Sequence, residues 1–264
     1  MVKYRISIIV PVYNQTSTIR NTVESVIKAL EPCDEAIFID DCSTDDSFLN
    51  LQRLCEGYNN LHCYKNDRNM GHIYTLNRAV KISSYEYITV IGGDDLLSNG
   101  FCHSIKNTIT SDDDFIFPPI ITFESDNEVN LSTNDEVKRN YSISKFDIGW
   151  GWGKYKGEKY GIIGATIKRE TLVNLGLFST DSIVEDYNLF LSASNLKNSL
   201  RLVPSLPSFY RINKNSISSK TWLMFKEDTK LLYKHFNFSL FIILYLKRSL
   251  SFLWFLYNKR LIKK

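Results

Sequence analysis

Tyr87-Ile88-Thr89-Val90-Ile91-Gly92-Gly93-Asp94-Asp95 is the stretch whose reading decides the fold. Its first five residues form a short run without polar alternation, the pattern of a strand covered on both faces in a parallel sheet. Two glycines and two carboxylates follow at once. The same order occurs about fifty residues earlier, where Ala36–Ile39 (AIFI) runs into Asp40 and Asp41. In an open α/β sheet the ligand lies beyond the carboxyl ends of the strands. Paired carboxylates at that edge suit a hard divalent cation and a ribose hydroxyl.

Working outward, Ile6–Val10 (ISIIV) reads as a first buried strand, broken by Pro11 and Asn14. Thr18 is a plausible cap for a helix carrying Ile19, Val23, Val26, Ile27 and Leu30, which Pro32 ends. After Asp41, Ser43 or Thr44 is placed to cap a helix with apolar positions Phe48, Leu51 and Leu54. Leu61–Tyr64 reads as a third strand and Ile73–Val80 as a helix before the quoted strand. Strand and helix in alternation predict a parallel sheet with helices on its faces. No G-x-G-x-x-G follows the first strand, which argues against a dinucleotide fold, and no P-loop motif occurs.

Beyond about residue 100 the alternation weakens. Asp112–Asp114 reads as a solvated acidic turn and Glu124–Asn140 as a polar loop. Asp147–Gly164 holds six glycines with Trp150 and Trp152, the composition of a mobile aromatic loop. Thr171–Leu175 and Tyr187–Leu196 read as helices. In the tail, Phe236–Tyr257 is dense in Phe, Leu, Ile and Trp, but its longest unbroken apolar run, Leu240–Leu246, is seven residues. That run alone is too short to span a bilayer. On a helix Lys247, Ser251 and Asn258 share a stripe, with Arg248 and Lys259 beside it. A basic, aromatic, amphipathic end fits peripheral contact with an anionic inner leaflet. Packing on its own domain or on a second subunit, as a homodimer, is the alternative.

The chain has 264 residues, 44% hydrophobic and 23% charged, ordinary for a folded protein. A net charge of +3 gives no footprint for nucleic acid. Five cysteines, an odd number without C-x-x-C, argue against a disulfide framework or zinc site and fit a reducing cytoplasm. No signal peptide is visible in the sequence.

Several further motifs occur with these in a fixed order, and together they make the chain resemble the family 2 glycosyltransferases, which have the GT-A fold. They are Ser7–Asn14 (SIIVPVYN), Asp40–Asp46 (DDCSTDD), Asn69-Met70-Gly71 with Asn77 and Ala79, and Gly93-Asp94-Asp95. Gly176-Leu177-Phe178, Glu185-Asp186, and Tyr210-Arg211 followed by Ser216 and Ser218 complete the set, covering about residues 5–220. The resemblance implies an α/β fold with a Rossmann-like, mostly parallel central sheet flanked by helices, followed by C-terminal amphipathic helices. Residues 1–100 would be the nucleotide-sugar-binding half, 101–220 the acceptor-binding and catalytic half, and 221–264 a helical tail.

The resemblance also implies roles. The backbone of Pro11, Val12, Tyr13 and Asn14, with Asp41, would hold the nucleobase, and Asn69 and Gly71 belong to the same donor-binding set. Asp94 would touch the ribose, and Asp95 would bind Mn²⁺ or Mg²⁺. Asp186 would be the general base, with Glu185 as the fallback. Three positions depart from the usual pattern: Cys42 where glycine is common, Gly92 where a further aspartate often stands, and Asn213 in place of a histidine.

Each assignment has a structural counterpart. Asp94-Asp95 alone is also a turn pair, Asp40-Asp41 also a helix cap, and Glu185-Asp186 also a pair favoured by a helix dipole. Trp150 and Trp152 either stack on an acceptor sugar or pin their loop. Arg211 contacts a diphosphate or pairs with a carboxylate, and His72 reads as a surface residue. The expected activity is inverting, metal-dependent transfer of a hexose or N-acetylhexosamine from a UDP-sugar to a lipid-diphosphate-linked oligosaccharide. The expected setting is O-antigen or capsule assembly at the cytoplasmic face of the cell membrane. The competing classes are a non-catalytic nucleotide- or sugar-binding protein and a sugar nucleotidyltransferase. The latter would carry a glycine-rich basic loop after the first strand, and Pro11–Thr18 has neither glycine nor lysine.

Overall fold

A computed structural model describes residues 4–132, 140–151, 153–203, 205–213 and 221–261. Trp152, Ser216 and Ser218 lie outside the described residues. The amino-terminal part alternates as expected: β1 (Ile6–Val12), α1 (Ile19–Ala29), β2 (Glu35–Asp40), α2 (Ser47–Cys55), β3 (Leu61–Lys65), α3 (His72–Ile82) and β4 (Tyr87–Val90). Next come β5 (Leu96–Leu97), α4 (Phe101–Lys106), β6 (Phe115–Phe117), β7 (Ile120–Phe123) and β8 (Tyr141–Ser142). A helix α5 (Lys145–Gly151), the hairpin β9 (Lys154–Tyr155) and β10 (Glu158–Lys159), β11 (Thr166–Lys168) and α6 (Arg169–Asn174) follow. The chain continues with α7 (Glu185–Asn195), β12 (Leu200–Leu202), β13 (Ser208–Arg211), α8 (Thr221–His235) and α9 (Phe238–Leu261).

The main sheet has the order β3-β2-β1-β4-β11-β6-β12-β8. Its first four strands are parallel, β11 runs antiparallel between β4 and β6, and β12 is again parallel to β6. The sheet therefore draws strands from both sides of residue 100. Helices cover both faces, which is why the strands read as unbroken apolar runs. Ile6, Ile8 and Val10 pack with Val23, Val26 and Phe101 on one face. Ile9, Ile88 and Val90 pack with Leu76, Val80 and Phe190 on the other.

β1 runs two residues past the expected break. Pro11 and Val12 still pair with Ile39 and Asp40 of β2, while pairing with β4 stops at Ile9. The proline lacks an N–H only where no strand remains on that side to receive it. The expected caps Ser43 and Thr44 are displaced: α2 begins at Ser47, whose amide is held by Asp45 Oδ1 at 3.0 Å. Ser43 and Thr44 instead bond Asn14, through its backbone N–H and its side-chain carbonyl respectively.

Two readings of the middle region are corrected. Of Asp112–Asp114, expected as a solvated turn, only Asp112 is exposed in a turn. Asp113 is buried and takes a two-pronged contact from the guanidinium of Arg201, including Nε at 2.7 Å, while Asp114 accepts from Ser199 N at 2.9 Å. Asp147–Gly164 is not a featureless loop, since it supplies most of α5 and the β9–β10 hairpin. In the tail, α8 docks on α7 through His235. Its Nδ1 accepts from Asn195 Nδ2 at 2.9 Å, leaving Nε2–H to donate to Asn188 Oδ1 at 3.0 Å.

Removing one partner of a buried ion pair strands the other charge. Asp113→Ala is expected to cost about 3 kcal/mol on that ground, read as a lowered midpoint in urea denaturation with an unchanged slope.

Candidate active site

β4 ends between β1 and β11, and the chain must turn sharply there to deliver its two carboxylates. Gly164 of the β11 approach donates to Val90 O at 2.7 Å, and Val90 N donates to Ala165 O at 3.1 Å. A Cβ at Gly164, which also has φ +77, would lie 2.7 Å from Ser208 Cβ. At the turn, a Cβ on Gly93 would lie 1.9 Å from Gln15 Oε1, and one on Gly92 would lie 2.7 Å from Asp95 Oδ2. An aspartate at position 92 would therefore crowd the carboxylate beside it.

Asp95 is 2% exposed. Its Oδ1 accepts from Arg211 N at 2.9 Å and its Oδ2 from Gly92 N at 3.3 Å. The first contact comes from a second, three-stranded sheet. β13 lies antiparallel to β5, which starts just after Asp95, and parallel to β7, so Arg211 arrives beside the carboxylate pair. The Arg211 guanidinium donates to Asp94 O at 2.8 Å, pairs with Asp126, and stacks 4.5 Å from the centre of the Phe123 ring. Burial, then the charge of Asp94, pushes the Asp95 carboxyl up to about 8. Burial also raises Asp94, partly countered by Arg211 and a Gln15 hydrogen bond.

Glu185 and Asp186 open α7 in its first turn, where the helix dipole favours negative charge. Asp186 Oδ1 accepts from Tyr187 N at 2.7 Å. Burial, then the neighbouring charge of Glu185, raises the Asp186 carboxyl to about 7. His72 Nε2 stands 3.5 Å from Glu185 Oε1.

One cavity of about 1030 Å³ joins these groups: Gly71, His72, Asp94, Asp95, Glu185, Asp186 and Arg211 all line it. Asp41 does not, but it shapes the wall. Its Oδ1 accepts from Met70 N at 2.8 Å and Asn66 Nδ2 at 2.6 Å, and its Oδ2 from Gly71 N at 2.8 Å. A carboxylate offers about four acceptor positions, so one remains on Oδ2. Pro11 and Val12 are buried in β1, Tyr13 and Asn14 are exposed beyond it, and Asn69 is an exposed neighbour of the cavity wall. Asp40 is turned into the fold, accepting from Ser43 N at 2.9 Å. Trp150 lies off the cavity, stacked on Phe146 with ring centres 5.7 Å apart.

The sequence reading passed over several lining residues. Tyr74, Arg78 and Lys81 fall, with the motif residue Asn77, on the i, i+3, i+4, i+7 spacing of one face of α3, a signal that was present. Lys159, Tyr160 and Met224 reach the cavity from β10, the segment after it, and α8, through tertiary packing that no local pattern announces. Asn213, at the position of the missing histidine, also lines it. Asn77 also braces the fold. Its side-chain amide donates to Phe178 O at 2.9 Å and accepts from Phe178 N at 3.0 Å, tying α3 to the Gly176-Leu177-Phe178 turn.

The residues present fit a divalent cation. Two adjacent carboxylates are buried side by side, burial raises the pKa of both, and a cation between them would answer the charge that each gains on ionising. A separate acidic group, Glu31 and Asp34 around Cys33, already shares the Lys106 ammonium, at 2.7 and 2.6 Å.

This sheet order, with carboxylates at the strand ends, is that of the GT-A class. Residues 7–163 match the family described as Glycosyl transferase family 2, and the chain belongs to that family. UDP-Glc:alpha-D-GlcNAc-diphosphoundecaprenol beta-1,3-glucosyltransferase WfaP of Escherichia coli is 26% identical over 214 residues, covering 81% of this chain and 80% of WfaP. The putative teichuronic acid biosynthesis glycosyltransferase TuaG of Bacillus subtilis is 32% identical over 90 residues, 34% of this chain and 36% of TuaG. The chain thus matches about a third of the length of TuaG and of an uncharacterized Mycoplasma genitalium glycosyltransferase. In structure, S. aureus TarS 1-349 in complex with UDP-GlcNAc is similar with a TM-score of 0.67 at 17% identity, over 94% of this chain and 73% of that one. Mannosyltransferase PcManGT from Pyrobaculum calidifontis, in complex with GDP-Man and Mn²⁺, gives 0.64 at 18% identity, over 88% and 64%.

Gly93→Ala is expected to destabilise the fold by about 1–3 kcal/mol through overpacking at the β4 turn. Gly151→Ala, where a Cβ meets nothing within 4 Å, should stay within about 0.5 kcal/mol of the parent. Urea denaturation of the two variants checks the contrast.

Proposed function

We propose that the chain transfers a hexose or N-acetylhexosamine from a UDP-sugar to a lipid-diphosphate-linked oligosaccharide, inverting the anomeric centre, during assembly of a surface polysaccharide such as O-antigen or capsule. The observation that carries this reading is that Asp94 and Asp95 share one cavity with Glu185 and Asp186. One acidic pair sits at the sheet edge and the other at a helix start, leaving room for a donor and an acceptor between them. WfaP, whose name specifies a UDP-glucose donor and a diphosphoundecaprenol acceptor, supports the substrate class. The UDP-GlcNAc complex of TarS supports a uridine nucleotide, and the PcManGT complex supports a divalent metal.

In this reading the nucleobase lies over the ends of β1 and β2. There it meets the Pro11–Asn14 segment, whose Val12 O and Asn14 N–H are already bonded to Asp41 N and Ser43 Oγ, and the remaining acceptor position of Asp41, with Asn69 and Gly71 beside them. Asp94 holds the ribose. Asp95 would hold Mn²⁺ or Mg²⁺, which when bound would supply charge stabilisation to the departing diphosphate. Arg211 keeps Asp94 and Asp95 in register through its backbone N–H on Asp95 Oδ1 and its Nε–H on Asp94 O, while Nη2 pairs with Asp126.

Asp186 accepts the proton of the attacking acceptor hydroxyl as the new glycosidic bond forms. A carboxyl raised to about 7 is matched to that proton transfer near neutral pH. Attack opposite the leaving group inverts the anomeric carbon, so a β-linkage follows from an α-linked donor. The diphosphate leaves with the bonding electron pair, and no covalent enzyme intermediate is needed. The setting is the cytoplasmic face of the cell membrane, with the tail in peripheral contact with it.

Two measurements test this. Asp95→Ala should reduce UDP affinity in Mn²⁺ to the level seen with chelator, by calorimetry; unchanged affinity would remove Asp95 from the metal site. Asp186→Asn should leave UDP affinity intact and lower kcat by ~10²–10⁴ or more. In the parent enzyme Asp186 works only when ionised, so kcat should rise through about pH 7 and level above it, while the residual rate of the variant should lack that step.

A further inference from the structure

α9 is dressed in opposite ways on its two sides. On the side toward the body, Leu244 is fully buried against α5. Glycine at 149 makes this approach possible, because a Cβ there would lie 2.7 Å from the Phe236 ring and 2.9 Å from Leu244 Cδ1. The Lys247 ammonium donates to the Trp150 carbonyl and sits 4.9 Å from the centre of its ring. Arg248 pairs with Asp228 of α8 at 3.3 Å. The polar stripe that the sequence defines is therefore, at Lys247 and Arg248, turned against the protein.

The opposite side is apolar and bare. Phe238, Leu246, Leu250, Leu253 and Tyr257 recur at helical spacing along one face, and Leu250 and Leu253 are 68% and 60% exposed; Trp254, 69% exposed, stands at its flank beside Lys247. From Phe238 to Tyr257 that face is about 28 Å long at the α-helical rise. Charge accompanies it. Residues 221–264 carry nine Lys/Arg against two Asp/Glu, a net of +7, which leaves −4 on the rest of a chain whose total is +3.

We propose that α9 lies in the plane of an anionic lipid surface, with its bare face immersed and the glycosyltransferase domain mounted on its inner face. The segment Phe238–Asn258 is long and apolar enough to cross a bilayer. Crossing, however, would carry Lys247 and Arg248, near the middle of the segment, to the bilayer centre, where charge is expensive. It would also take them from Trp150 and Asp228. Lying flat keeps both contacts and buries only the apolar side.

The mount also locates the cavity. Met224 of α8 lines it, while Trp222, two residues away, packs at a tilt against Phe252 of α9 with ring centres 5.6 Å apart and is itself 67% exposed. The cavity edge thus lies close to the lipid face. A lipid-linked acceptor would reach it from the membrane plane, a consequence that rests on the proposed transfer reaction, whereas the docking itself does not.

The test uses the full chain with a C-terminal tag, added to sealed phosphatidylglycerol–phosphatidylcholine vesicles, with pure phosphatidylcholine as control. The protein should float with the anionic vesicles and its tag should stay open to added protease. The double variant Leu250→Asp, Leu253→Asp should float at least about tenfold less and bind UDP in Mn²⁺ with the parent's affinity. A protected tag would mean that α9 spans, and equal flotation of the double variant would place the lipid contact elsewhere. Failure of the parent to float, with a dimer that the double variant loses, would assign the face to a second copy. Each of these overturns the proposal. If the parent floats but binds no UDP, the transfer reaction falls and the membrane mount stands.

Discussion

The structure depends on keeping the Asp94–Asp95 pair at a sheet edge while almost removing Asp95 from water. Burial of a carboxylate is unfavourable unless its oxygens are bonded and its charge answered. Here the bonds come from two backbone amides, Gly92 N and Arg211 N, and the answering charge from a single guanidinium already shared with Asp126. The remaining imbalance shows in the raised Asp95 carboxyl. Much of the surrounding fold follows from that requirement. The close approach of Gly164 to Val90, the clearance that Gly93 leaves for Gln15, and the second sheet that carries Arg211 all serve to hold this one turn in place.

Several residues expected to meet substrate are found holding the protein. Asp41 spends three acceptor positions on the segment that begins α3, so it sets the shape of a wall whether or not a base occupies its fourth. Arg211 is engaged on its backbone and its guanidinium alike. A motif residue can thus be indispensable to a site through the geometry it imposes on its neighbours, and sequence pattern does not separate that role from direct contact.

The first four strands and their helices were legible because each is bounded by a local signal: an unbroken apolar run, then glycine, proline or aspartate. The acidic pairs were legible for the same reason, since strand ends and helix starts are local features. What escaped depends on partners far along the chain. Asp113 looks solvated until Arg201 of β12 is brought against it, and Lys159 and Met224 enter the cavity only because distant elements fold over it. The glycine-rich segment at 147–164 hides its helix and hairpin because its composition suits a loop equally well. In the tail the periodicity defined a polar stripe correctly but carried no information on whether that stripe met water or protein.

The seat of Leu244 against Gly149 bears on how this protein is handled in the laboratory. Greasy C-terminal helices are commonly cut away to improve yield. Here a stop codon before Phe238 would uncover the apolar bed around Phe236 and strand Asp228 without its cation. Recombinant preparations are better served by recolouring the outward side chains of α9 than by deleting the helix.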